Sequence, residues 1–321
     1  MIVKFARTAA ALMATLSCNP SMAADSPDKP VRFIVPYTPG GPTDVTARVV
    51  GERMAAGFAQ PVVIENRPGA GSRIGMTALF RSAPDGYTIG LGTSSITTAP
   101  FSQADLPWKP TDFAAISMVV DVPLLIVANP SLPARTIEEI LAAAKKEPGR
   151  LTYSTSGNGT ITHLGFEWLK QQKGVSITNV PYSGATESIR DVVGGRVNMT
   201  YDGISGLLPF INDGKLRPVA VSSARRIALL PNVPTLIESG LPDFDVSAWF
   251  GIVGPPGTPS EAVRKLNAEI VKAIREPEVR QRFLNLGMEP VGSSPEELGS
   301  TISRYYTRWV GLMKSSNIKM D

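Results

Sequence analysis

The chain is built on one repeated unit: an apolar run of strand length, a glycine-bearing loop, then a helical pattern. Val31-Arg32-Phe33-Ile34-Val35 leads into Pro39-Gly40-Gly41-Pro42-Thr43-Asp44 and a helical pattern over 45–54. Val62-Val63-Ile64-Glu65 leads into Asn66-Arg67-Pro68-Gly69-Ala70-Gly71, after which Ser72 opens a second helix to Arg81. A third strand, 88–92, follows the turn Pro84-Asp85-Gly86-Tyr87. Strands separated by helices pair by crossing over, so the expected fold class is α/β with a mainly parallel sheet.

The unit starts again at Leu124-Leu125-Ile126-Val127, before a helix from Thr136, where Thr136 and Glu139 have capping-box spacing. Leu151-Thr152-Tyr153 then runs into Ser154-Thr155-Ser156-Gly157-Asn158-Gly159-Thr160 and a helix to about Gln172. A strand over 177–180, a helix from Ala185 and strands near 197–201 and 219–221 complete a second sheet. After about Val246 come the strand Phe250-Gly251-Ile252-Val253 and two helices entered by Thr258-Pro259-Ser260-Glu261 and Ser294-Pro295-Glu296-Glu297. Proline at the first helical position and glutamate at the third fit both starts. Val263, Leu266, Ile270 and Ile274 form one apolar stripe; Leu298, Ile302, Tyr305, Trp309 and Leu312 form another, and both read as core contacts. If this part returns to the first sheet, the chain crosses near 120–126 and 238–248. Domain 1 then spans 25–123 plus 246–321, domain 2 spans 124–245, and a hinged cleft lies between them.

The N-terminus reads as something other than fold. Lys4 and Arg7 precede an apolar stretch that ends at Ser21-Met22-Ala23-Ala24, the layout of a secretory signal peptide over 1–24. Cys18 also closes that stretch, which leaves lipidation as the rival reading, although Thr15-Leu16-Ser17 fits the lipoprotein pattern poorly. Cleavage after Ala23 or Ala24 would remove the only cysteine and leave about +2 of the formal charge of +4. No cluster of five basic residues occurs, which argues against nucleic acid. No later stretch has the roughly 18 consecutive apolar residues of a spanning helix. A periplasmic, monomeric protein held together by packing is expected.

Three loops set at helix starts suit an anion, because a helix N-terminus presents unpaired N–H groups and the positive end of the dipole. Neither nucleotide fingerprint is present: there is no Gly-x-x-x-x-Gly-Lys-Ser/Thr, and Gly157-Asn158-Gly159 has Thr162 where the third glycine is required. The small side chains Thr43, Ser94, Ser95, Thr155 and Thr160, with the amides near Gly41 and Gly157, fit a carboxylate.

The segments Val35-Pro36-Tyr37-Thr38-Pro39-Gly40-Gly41-Pro42-Thr43-Asp44, Glu65 to Gly71, Pro84-Asp85-Gly86-Tyr87, Val180-Pro181-Tyr182 and Trp249-Phe250-Gly251 through Pro255-Pro256-Gly257-Thr258-Pro259 resemble the Bug family. These are the extracytoplasmic receptors of tripartite tricarboxylate transporters. The resemblance covers essentially the whole chain after the leader. It implies a two-domain periplasmic binding fold of type II-like form, with a hinged cleft between two mixed, mainly parallel sheets flanked by helices. It also implies a small carboxylate held by one strand–helix loop from each domain, transient docking to integral-membrane transporter subunits, and no cofactor. Carried over, the first loop is 37–44 and its counterpart is 154–163, with Ser94, Tyr182 and Asp202 lining the cleft. Pro42 stands where glycine is frequent and removes a backbone donor; Ser72-Arg73 stands where glycine and asparagine are usual.

Several of these residues have two readings. Arg73 either grips a second carboxylate through its guanidinium or is a solvated surface arginine. Asp44 either caps a helix or holds bridging water. His163, the only histidine, either touches ligand or supports the helix it opens. Asp202 either selects an amine or hydroxyl or is a turn aspartate. Catalysis is the competing class, but there is no Gly-x-Ser-x-Gly elbow, no His-Glu-x-x-His, and no catalytic or metal-binding set is expected. A sensor that reports occupancy to a membrane kinase would have the same sequence.

Overall fold

A computed structural model describes residues 28–102, 105–182, 184–315 and 318. The expected leader, its cleavage site and Cys18 lie outside the described residues. The first unit contains β1 (Val31–Val35), α1 (Pro42–Phe58), β2 (Val62–Asn66), α2 (Arg73–Phe80), β3 (Thr88–Thr93), a one-turn α3 (Ala99–Ser102) and β4 (Ala114–Asp121). The chain then builds β5 (Leu124–Ala128), α4 (Ile137–Lys146), β6 (Thr152–Thr155), α5 (Ile161–Lys173), β7 (Thr178–Pro181), α6 (Ala185–Val193), β8 (Met199–Gly203), α7 (Ile204–Asn212) and β9 (Arg217–Val221). It ends with β10 (Phe250–Gly254), α8 (Ser260–Arg275), α9 (Pro277–Asn285), β11 (Glu289–Pro290) and α10 (Pro295–Ser315).

One sheet has the order β11-β4-β10-β3-β1-β2 and the other β7-β6-β8-β5-β9. In the first, β1, β2 and β3 pair parallel, while β10 lies antiparallel between β3 and β4. In the second, β7, β6 and β8 pair parallel and β5 lies antiparallel between β8 and β9. Each sheet is therefore mixed but mainly parallel in strand direction, and each antiparallel insert is the first strand laid down after a crossing. Both inserts enter their sheet directly from a crossing.

The crossings run side by side. Pro123 bridges Ser247, Ala248 N donates to Val122 O at 3.0 Å, and Val246 N donates to Ser222 O at 2.9 Å. Tyr305 of α10 accepts a bond from Ser247 N at 2.9 Å. Its apolar stripe packs against the first sheet, and Trp309 meets Trp168 of α5 edge-on, so α10 spans both units.

Helix starts follow local chemistry. Ser294 and Glu297 form a reciprocal capping box, with bonds of 2.8 and 3.2 Å. At α8 the expectation is corrected: Pro259 is the N-cap, not the first helical residue, and no side chain caps the start. The Thr258 hydroxyl turns back to Pro255 O at 2.8 Å. The short α9 and the two-residue β11 were not anticipated either.

Candidate functional site

Strands β1, β3, β6 and β8 end at the same side of their sheets, and in open α/β sheets that side is where ligands bind. A cavity of about 380 Å³ is lined there by Tyr37, Gly71, Ser95 and Thr98 from the first unit and by Asn158, Gly159 and Thr160 from the second. It brings all three glycine-bearing loops together: Tyr37 follows β1, Gly71 precedes α2, and 158–160 connects β6 to α5.

The first loop is built around Asp44. Its carboxylate accepts bonds from Gly40 N (2.9 Å), Arg48 Nε (2.9 Å) and Asn66 Nδ2 (2.8 Å), and the residue is only 2% exposed. Burial alone pushes its pKa up, but Arg48, Gly40 and Asn66 outweigh it and hold the group at about 2. Asp44 therefore ties β2 and the loop to α1. Gly41 is the N-cap of α1 and Thr43 lies buried in its first turn, with no side chain capping the helix. Nor does one cap α2, whose N-cap Ser72 has φ 78°. The Tyr37 hydroxyl bonds Thr93 Oγ1 at 2.8 Å and Ser95 Oγ at 2.7 Å, fixing the aromatic ring against the end of β3. Arg73 is exposed at the first position of α2.

The loop of the second unit is held from inside. Gly159 N donates to His163 Nδ1 at 3.1 Å, so one ring nitrogen holds the loop, while Nε2 lies 4.0 Å from Glu167 Oε1, beyond hydrogen-bond reach. Burial pushes the imidazole pKa down, which favours the neutral ring that accepts this bond. Thr160 Oγ1 donates to Gly157 O at 2.6 Å and accepts from His163 N at 3.3 Å, acting as the α5 cap. Gly159 has φ +73°, a conformation that a side chain would strain.

Four expected contacts find partners inside the protein. Thr155 is fully buried, with Oγ1 bonded to Asn179 Oδ1 at 3.3 Å. The Tyr182 hydroxyl donates to Asp191 Oδ2 at 2.6 Å; burial and that carboxylate push the phenol up to about 12. Ser94 is 2% exposed and its amide bonds Trp249 O, whereas Ser95 lines the cavity. His163 is the fourth. Gly157 approaches the Tyr182 backbone closely, a Cβ there standing 3.3 Å from Tyr182 O. Asp202, near the end of β8, accepts Gly203 N at 2.7 Å through Oδ1, while Oδ2 is buried with no partner. Burial pushes its pKa up to about 6.

Of the serine pair expected to fit a carboxylate, Ser95 lines the cavity; the lining residues that the sequence does not single out are Thr98, Ala99 and Ser102. They follow β3 on a short 3-10 turn and α3. The rule that strand C-terminal ends carry ligands, applied to β3 as well as to the glycine loops, would have found them.

The sequence model of the family described as "Tripartite tricarboxylate transporter family receptor" matches residues 46–318. The chain is 35% identical to Protein BugT of Bordetella pertussis over 315 residues, covering 96% of each. Among solved structures, an R. palustris protein with adipate superposes at a TM-score of 0.76 with 33% identity, covering 90% of this chain and 97% of that one. MatC from Rhodopseudomonas palustris with bound malate gives 0.74 with 30% identity, covering 89% and 99%.

Proposed function

The chain belongs to the tripartite tricarboxylate transporter receptor family, and from that premise we propose that it is a periplasmic receptor that captures a small organic carboxylate in its cleft and delivers it to membrane subunits of such a transporter. The fold is that of periplasmic binding proteins. The observation that carries the reading is the single cavity shared by the loops after β1 and β3, the start of α2 and the loop after β6. Binding proceeds without turnover: the one histidine is buried and accepts the Gly159 amide through Nδ1, which ties it to the loop it supports.

In this reading the ligand carboxylate meets Ser95, the amides at the start of α1 near Gly41 and Thr43, and the amides of Gly157 to Thr160. Tyr37 and Tyr182 wall the site, Arg73 stands at its rim for a second acidic group, and Asp44, Thr155 and His163 position the loops. A hydrogen bond to a charged group contributes about 1.5–3 kcal/mol, so four of them approach the roughly 8 kcal/mol of micromolar binding. The two sheets act as the cores of two domains, and closure about the paired crossings buries the ligand. The protein works as a monomer.

A thermal-shift panel tests the class. Adipate, malate, succinate and citrate are assayed against neutral analogues, with Gly159→Ala as control. At least one acid should raise Tm in the wild type by the amount expected for saturating ligand, about 2.7 kcal/mol at 100 times Kd. The shift should shrink in Gly159→Ala, where the added methyl strains the loop. Stabilisation by neutral compounds alone would overturn the carboxylate class.

A further inference from the structure

His163 is the only histidine of the chain, is 3% exposed, and stands in the first turn of α5 behind the loop that lines the cavity. Its Nδ1 accepts Gly159 N, so in this state Nδ1 carries no proton. Gly159 itself lines the cavity with its neighbours Asn158 and Thr160. An imidazolium carries a proton on both nitrogens and accepts no hydrogen bond. Protonating His163 therefore turns the bond that holds the loop into two N–H groups facing each other 3.1 Å apart, at a place buried from water. A buried amide left without its acceptor is costly.

The other edge of the ring faces an alternative partner. One turn along α5, Glu167 Oε1 lies 4.0 Å from Nε2, too far for a hydrogen bond to the neutral ring. That oxygen is already fixed, because it accepts from the Tyr153 hydroxyl of β6 and from Lys170 Nζ, each at 2.6 Å. The groups that face the ring are thus Glu167 and Lys170 from its own helix and, through Glu167, Tyr153 from the sheet. Burial disfavours the charged ring most, Glu167 favours it and Lys170 opposes it, and the balance lies below the ordinary 6.5. The ring is neutral near pH 7 and takes up charge only in acid.

We propose that His163 is a proton-operated latch on the binding loop: the neutral ring holds Gly159 and the 157–160 loop in their binding shape, and the imidazolium turns to Glu167, frees the loop and releases ligand. The inference rests on the carboxylate-receptor reading above and adds its regulation. The proton comes from solvent and is bound at Nδ1. Because ligand needs the latched loop, ligand and proton oppose each other without touching, and each weakens the other by the same factor. Affinity is full above pH 6.5 and declines as pH falls through the lowered pKa of His163, by up to about tenfold per pH unit for one proton taken up.

A single histidine makes the test clean. Heteronuclear NMR follows the His163 ring nitrogens and the Gly159 amide between pH 7.5 and 4.5. Over the same range adipate, malate, succinate and citrate are titrated calorimetrically into wild type and His163→Asn, whose side-chain oxygen can accept from Gly159 N but takes up no proton. Without ligand, the ring should start with Nδ1 unprotonated, and the Gly159 amide should shift with the same midpoint as the ring. The ratio of wild-type to variant affinity cancels the ligand's own titration; for an acid that binds, it should fall at least about fivefold from pH 7.5 to 4.5. A Gly159 amide that titrates apart from the ring, or a constant ratio, overturns the latch and leaves the receptor reading intact. The NMR comparison stands even if the variant folds poorly. If none of the acids binds at any pH, the receptor reading falls and ligand release falls with it.

Discussion

At the scale of single residues, the first loop shows how an acidic group can stand beside the proposed anion site. Asp44 does not face the ligand with free charge, because its two oxygens are taken by Gly40, Arg48 and Asn66. Its folded pKa of about 2 lies below the ordinary 3.8, so the carboxylate stabilises the fold fully above pH 3.8 and that contribution is lost as pH falls toward 2. Asp44→Asn should cost on the order of 1–2 kcal/mol at pH 7, discounted because Arg48 is half exposed, and the gap from wild type should close near pH 2. Urea melts across that range measure it; a gap independent of pH would mean the ionised form matters little. The sequence showed an aspartate at a helix start and could assign a cap or a water holder. It could not show Asn66, 22 positions away, completing the set. The same limit hid the partners of Thr155 and of the Tyr182 hydroxyl, because a small or aromatic residue at a strand end carries no mark of which neighbour it will bond.

At the scale of elements, the strand–loop–helix unit was legible because each part has its own period and punctuation. Apolar runs of five residues, glycine at the turn and the 3.6-residue stripes located most of the elements. What was not legible was neighbour order: β5 and β10 look like any other buried strand, and only the assembled sheets show them inserted antiparallel. The two-residue β11 has no period at all. Close approach is likewise a property of the assembly. Gly75 in α2 sits where a Cβ would lie 2.6 Å from Pro36 Cβ, 2.7 Å from Pro36 Cα and 2.9 Å from Arg67 O. Two of those atoms are backbone and cannot swing aside, so α2 must lift from the end of β1. Gly75→Ala should destabilise by about 1–3 kcal/mol. Because Pro36 precedes Tyr37, it should also weaken carboxylate binding more than a surface alanine substitution of equal stability cost. Parallel melts and titrations separate the two effects; retained affinity would place the strain away from the loop.

At the scale of the whole molecule, the two sheets are joined by a pair of adjacent strands and braced by one long helix. Tyr305 bonds Ser247 on the second crossing, and Arg308 lies over Trp168 at 4.3 Å while donating to Asp245 O at 2.7 Å. In the proposed closure the pivot therefore lies close to Ser247 and α10. Asp121 ends β4 at that pivot, beside a cavity of about 350 Å³ that it lines with Asp245, Ser247, Arg304 and Tyr305. Burial pushes its pKa up to about 6; the Ser247 side chain bonds it and Arg304 offsets part of the effect, while Asp245 and Glu289 add to it. The sign is opposite to that of Asp44. With the folded pKa above the ordinary 3.8, ionising Asp121 costs the folded state stability as pH rises from about 4 to 6, and the full penalty remains at pH 7. Asp121→Asn keeps an acceptor for Ser247 and removes the charge, so it should be more stable than wild type at pH 7 by on the order of 2 kcal/mol and equal to it near pH 4. Denaturant melts at the two pH values check this. A variant less stable at pH 7 would mean that the ionised carboxylate braces the pivot, and the hinge would then depend on a charge that its surroundings otherwise oppose.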